Sequence, residues 1–111
     1  MELPSRIGFI NTKLQESFYK LEKGTYSEQK LFRLICKAFK RLEENAFMGT
    51  QIPKKLTPKK YIQEYDVSNL WKYNLPGGWR LIYTIIDKEI IVLSIILEWL
   101  PHKEYEKKFK Y

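Results

Sequence analysis

Residues 69–99, NLWKYNLPGGWRLIYTIIDKEIIVLSIILEW, constrain the fold more than any other part of the chain. Apolar runs bounded by Pro-Gly-Gly and Asp-Lys read as strand, turn, strand, turn, strand. Gly77 and Gly78 can take the positive φ that a tight reversal demands, and Asp87-Lys88 makes the next one. Strand side chains alternate faces, so Trp79, Leu81, Tyr83 and Ile85 share one side and Arg80, Ile82, Thr84 and Ile86 the other. The last strand, Glu89 to Leu97, is apolar on both faces, which places it inside the sheet, between the first and third strands, with cover on both sides. Arg80 then heads a face left open. A guanidinium there either reaches water and pairs with a carboxylate, Glu98 or Asp66, or is held to meet an anion.

The first half of the chain reads as helical. Ser5 to Ile10 forms a short strand, and Thr12 with Gln15 offers a capping box for a first helix, with Leu14, Phe18 and Leu21 at helical spacing. Gly24 supplies a left-handed stop. Ser27 caps a second helix whose apolar stripe is Leu31, Leu34, Ile35, Ala38, Phe39, Leu42 and Ala46; Lys30, Arg33, Lys37, Lys40 and Arg41 fall mostly elsewhere, and the helix ends at Gly49. Thr57 as cap and Pro58 at the first helical position predict one or two turns over TPKKYIQEY. LPHKEYEKKFKY closes the chain as a polar, helical tail. The fold class is therefore α+β, in the order β-α-α-β-β-β: two helices pack on one face of a mostly antiparallel four-stranded sheet.

At 111 residues the chain fits one domain, 1–111, with a single two-layer core. Its 20 Lys+Arg against 13 Asp+Glu leave a formal charge of +7, a field that favours polyanions or an acidic protein partner. The one cysteine, Cys36, precludes an intrachain disulfide and falls in a helical pattern as a small half-buried thiol. The N-terminus shows no apolar signal-peptide core and no run is long enough to span a membrane, so a soluble cytoplasmic protein is expected. No metal-ligand spacing, phosphate loop, dinucleotide fingerprint or serine triad is present, and no cofactor is expected.

Three groups of residues carry possible chemistry. Lys54, Lys55, Lys59 and Lys60 repel one another unless they form a solvated loop or neutralise phosphates. Tyr61 and Tyr65 interleave with them, as bases require for stacking and as a loop requires for anchoring. Arg80 presents a fork that can hold two phosphate oxygens while staying charged at any working pH. His102, the sole histidine, lies just past the last strand, near Tyr105 and Lys108. Its reach to Arg80 depends on the strand register.

The order of elements, the basic loop before the meander, LWKYNLPGGWRLIYTI and LEWLPHKEY together resemble the RelE/ParE superfamily of toxins from toxin-antitoxin modules. WRLIY is similar to the family's third-strand pattern. The resemblance implies a sheet that cradles mRNA on the ribosome and cleaves it without metal, neutralised by an acidic antitoxin. By position, Arg80 would stabilise the phosphate, His102 or Tyr105 would serve as acid or base, and Lys54, Lys55, Lys59, Lys60 and Lys108 would grip the RNA. Two other readings share this fold: a toxin of the gyrase-directed branch that binds a protein target, and a non-catalytic module that binds nucleic acid or a partner.

Overall fold

A computed structural model of the chain describes residues 2–87 and 92–109. β1 (Arg6–Phe9) leads into α1 (Thr12–Glu22) and α2 (Tyr26–Glu44). β2 (Thr50–Gln51), α3 (Lys59–Tyr65), β3 (Trp71–Asn74), β4 (Trp79–Asp87), β5 (Val92–Pro101) and α4 (His102–Phe109) follow. The class is α+β. Among the described residues, however, the sheet has five strands where four were expected, in the order β1-β5-β4-β3-β2. It is mixed: β1 runs parallel to β5, and the other neighbours are antiparallel. The additional strand, β2, pairs Thr50 with Lys72 and Gln51 with Trp71. Two residues carry no readable alternation. β5 runs on to Pro101 instead of ending at Leu97; its expected start at Glu89, and Lys88 of the expected Asp87-Lys88 reversal, lie outside the described residues, while Asp87 ends β4.

The helix boundaries shift because neighbouring polar side chains compete for the same free backbone groups. Asn11, not Thr12, caps α1, accepting from the Leu14 N–H at 2.8 Å. Thr25, not Ser27, caps α2: its hydroxyl accepts from the Glu28 N–H at 3.2 Å, and the Glu28 carboxylate accepts from the Thr25 N–H at 3.0 Å. Asn45 ends α2 before Gly49, its side chain accepting from the N–H groups of Leu3 and Phe47, both at 3.0 Å. Gly24 does not enter the left-handed region; Gly77 and Gly78 do, at φ 81° and 83°, in the turn between β3 and β4. The Thr57 hydroxyl donates to the Pro53 carbonyl instead of capping α3, which starts at Lys59.

Two apolar layers flank the sheet. On one side α2 buries Leu31, Ile35, Ala38 and Leu42 at helical spacing against Leu81, Tyr83 and Ile96, with Phe18 of α1. Phe9, Phe18, Phe32, Phe39 and Trp99 surround that layer with edge and stacked ring contacts. On the other side, cover was expected over the last strand while the face of Arg80 was expected to stay open; α3 and α4 cover much of it. Tyr61 of α3 and Tyr105 and Phe109 of α4 pack on Ile82, Leu97 and Leu100. Tyr105 and Phe109 are one helical turn apart, so both face inward and stack at 4.6 Å between centroids.

A β-bulge fits this second layer to the sheet. Ile82 pairs with Glu98 and Tyr83 with Ile96, leaving Leu97 as the extra residue on β5. Leu97 joins the α3–α4 core, and Glu98 beside it is bonded to Tyr61 and Lys108 on the same side. Two successive residues thus serve one face, which a regular strand forbids.

Tyr83 ties the sheet to the connection between α2 and β2. Its buried hydroxyl donates to the Ala46 carbonyl at 2.7 Å and accepts from the Gly49 N–H at 3.1 Å. Burial pushes its pKa up to about 12. The folded chain therefore holds this proton more tightly than the unfolded chain, whose phenols titrate near pH ~10. The stabilisation is complete below that pH and is lost as the pH rises toward 12. Tyr83→Phe strands two backbone groups and should cost about 1–3 kcal/mol at neutral pH. Urea unfolding of this variant should also lose stability less steeply than wild type across that alkaline interval.

Candidate functional site

Strand register brings the candidate residues together where β3, β4 and β5 meet α4. Arg80 pairs with Asn74 on one side and Leu100 on the other, and these residues share its face. α4 begins immediately after β5, so its first residue, His102, is held close to Arg80. The Arg80 Nη2 atom lies 3.0 Å from His102 Nδ1, and Nη1 donates to the Trp79 carbonyl at 3.2 Å. His102 Nε2 contacts the Glu106 carboxylate one turn along α4. The PGG turn lies beneath: a Cβ on Gly78 would stand 3.6 Å from the His102 Cβ.

Neither carboxylate considered for Arg80 reaches it. Among the described residues no acid lies within ion-pair distance of its guanidinium. Glu98 is engaged by Lys108 Nζ at 3.0 and 3.2 Å and by the Tyr61 hydroxyl, which donates to it. Burial, followed by the hydrogen bond and charge of Glu98, raises the Tyr61 pKa well above the ordinary phenol value. Tyr61 therefore stays protonated as a donor and anchors α3 to the sheet.

Tyr105 lies almost wholly inside the second core, 2% exposed, so its ring is a platform more than a solvent-facing group. Lys72 Nζ lies over that ring at 5.1 Å and the Arg80 guanidinium carbon at 5.8 Å from the centroid. Lys72 did not emerge from the sequence reading. The signal was available, since Lys72 is two residues from Asn74 on β3 and so shares the face of Arg80.

The remaining lysines divide. Lys54 and Lys55 lie on a 3-10 turn (Lys54–Leu56), and Lys59 and Lys60 open α3; all four are exposed. They are not among the contacts of the Arg80 guanidinium, which are Trp79, His102 and Tyr105 among the described residues. Lys108, grouped with them from sequence, is instead committed to Glu98. Lys108→Met should therefore lower stability by about 1–3 kcal/mol, because it leaves a half-buried carboxylate short of its partner. Urea unfolding of the variant beside wild type would show the loss.

Tyr65 is half-buried against the second core, and burial raises the Cys36 thiol pKa, which lowers its reactivity. Among the described residues no group of three or more His, Cys, Asp or Glu side chains is placed to hold a metal ion, and no helix is long and apolar enough to cross a membrane. The arrangement can grip an oxyanion with Arg80 and Lys72 beside an imidazole. Compared with family models, curated proteins and solved structures, the chain matches none.

Proposed function

We propose that the chain is a RelE-like toxin: a ribosome-dependent mRNA endoribonuclease that acts in the cytoplasm and is neutralised by an acidic antitoxin. The single observation that supports this most is the 3.0 Å approach of Arg80 Nη2 to His102 Nδ1, with no acid within ion-pair distance of the guanidinium among the described residues. RNA cleavage needs a base for the 2′-hydroxyl and positive charge at the phosphate, and these side chains supply both. His102 Nδ1 takes the 2′-hydroxyl proton, the 2′-oxygen bonds to phosphorus, and the bond from phosphorus to the 5′-oxygen breaks. Arg80, with Lys72 beside it, stabilises the charge on the non-bridging oxygens. Water gives a proton to the leaving oxygen, so the products are a 2′,3′-cyclic phosphate and a 5′-hydroxyl. Lys54, Lys55, Lys59 and Lys60 add sequence-independent attraction for the backbone. The +7 charge suits an acidic partner that folds on binding.

The test is to induce the chain in growing bacteria and map message ends. New ends inside codons of translated messages, with untranslated RNA intact, are the expected result. Intact messages accompanied by DNA damage would replace this reading with the gyrase-directed one. Harmless expression with salt-sensitive RNA binding would leave a binding module.

A further inference from the structure

The site holds a carboxylate that the cleavage reading leaves without a task. Glu106 lies one turn after His102 on α4 and contacts Nε2 of the ring, while Arg80 approaches Nδ1 at 3.0 Å. A guanidinium carries donors only, so Nδ1 must be the acceptor at that contact. The ring proton then belongs on Nε2, which donates a hydrogen bond to the Glu106 carboxylate. The imidazole is thus held from two sides, with its basic lone pair directed at the cation that would bind phosphate.

We propose that Glu106 is the positioning residue of this site: it fixes the tautomer and orientation of the His102 ring so that Nδ1 stays beside the phosphate after Arg80 has turned to it. The catalytic part of this inference rests on the cleavage reading. In the free chain Arg80 donates to Nδ1 and covers the base. A phosphate oxygen competes for the same N–H groups, and a charged acceptor forms the stronger hydrogen bond. As Arg80 moves to the phosphate, Nδ1 is uncovered and loses one of its two restraints. Among the described residues, Glu106 is then the remaining polar partner that keeps the ring from rotating, and it also offsets the imidazolium charge once Nδ1 has taken the 2′-hydroxyl proton. The effect belongs to the bound complex, so it appears in kcat and not in KM.

Glu106 and His102 are both more than half exposed, at 55% and 53%, so replacing either leaves the two apolar cores untouched. Two measurements test the idea. Single-turnover cleavage on programmed ribosomes should show Glu106→Ala lowering kcat about tenfold with KM changed less than about twofold, since a general base contributes far more than its orientation alone. Glu106→Gln, whose amide oxygen still accepts from Nε2–H, should recover most of that loss. Equal loss in both variants, or none in Glu106→Ala, overturns the proposal.

The second measurement needs no activity. His102 is the sole histidine, so nitrogen NMR of histidine-labelled chain reports one ring. The neutral ring should carry its proton on Nε2 alone in wild type and relax toward the tautomer mixture of free imidazole in Glu106→Ala. A proton on Nδ1 in wild type, or identical ring spectra in the two proteins, overturns the positioning role. A wild-type chain that cleaves nothing would sink the endoribonuclease reading, and the ring spectra would then decide separately whether Glu106 orients His102.

Discussion

Under the proposed cleavage activity, Arg80→Ala is expected to slow message cleavage on programmed ribosomes by about two to three orders of magnitude, the usual loss when one donor to a developing oxyanion is removed. The argument rests on placement. Arg80 is half-buried on β4 between the buried Leu81 and the turn, its plane is fixed by the Trp79 carbonyl, and its outer nitrogen faces His102. A guanidinium held this way has only to exchange His102 Nδ1 for a phosphate oxygen, the stronger acceptor. Arg80→Lys should recover only part of the loss, because an ammonium cannot present two parallel N–H groups to two oxygens. The fold should survive both changes, since Leu81 and Ile82 beside it carry the cores. Thermal melting and cleavage measured on the same preparations would check this. Full cleavage by Arg80→Ala would remove the residue from the mechanism.

Gly49→Ala should unfold the chain at markedly lower denaturant, with a cost of about 3 kcal/mol, at the upper end of what overpacking usually takes. A Cβ at this position would stand 2.3 Å from the Lys72 carbonyl oxygen and 2.7 Å from the Tyr83 hydroxyl. Neither neighbour can yield freely. Lys72 pairs with Thr50 in the sheet, and the Tyr83 hydroxyl is fixed by Ala46 and by Gly49 itself. Gly8→Ala is the contrast: there the added Cβ meets only the end of the Ile95 side chain, at 2.9 Å, which can turn aside. Urea unfolding of the two variants should separate them clearly, and an unperturbed Gly49→Ala would show that the α2–β2 connection is not held as tightly as these contacts require.

What could be read directly from the sequence was periodic. The alternation of Trp79 to Ile86 assigned Leu81 and Tyr83 to the helix-covered core, and the stripe of α2 named Leu31, Ile35, Ala38 and Leu42. What escaped was set by single residues or by long-range pairing. β2 is too short for a pattern, and the caps at Asn11 and Thr25 stood beside equally competent neighbours. The second core was misjudged because α4 is polar on average; only Tyr105 and Phe109, four apart, betray its inward face. The meeting of Arg80 with His102 required both the β4–β5 register and the bulge at Leu97, and neither leaves a local mark. Lys72 was legible in principle, through its parity with Asn74 and Arg80.

The helix that supplies His102 is held to the sheet by few side chains, chiefly Tyr105, Phe109 and the Lys108–Glu98 pair. Short elements with few anchors open at lower free energy than the body they rest on. Brief lifting of this one segment would carry His102 away from Arg80 while the layer beneath α1 and α2 stayed whole. Under the proposed activity, heat should accordingly silence the protein some degrees before it melts, and on cooling the lost cleavage should return without refolding of the whole chain.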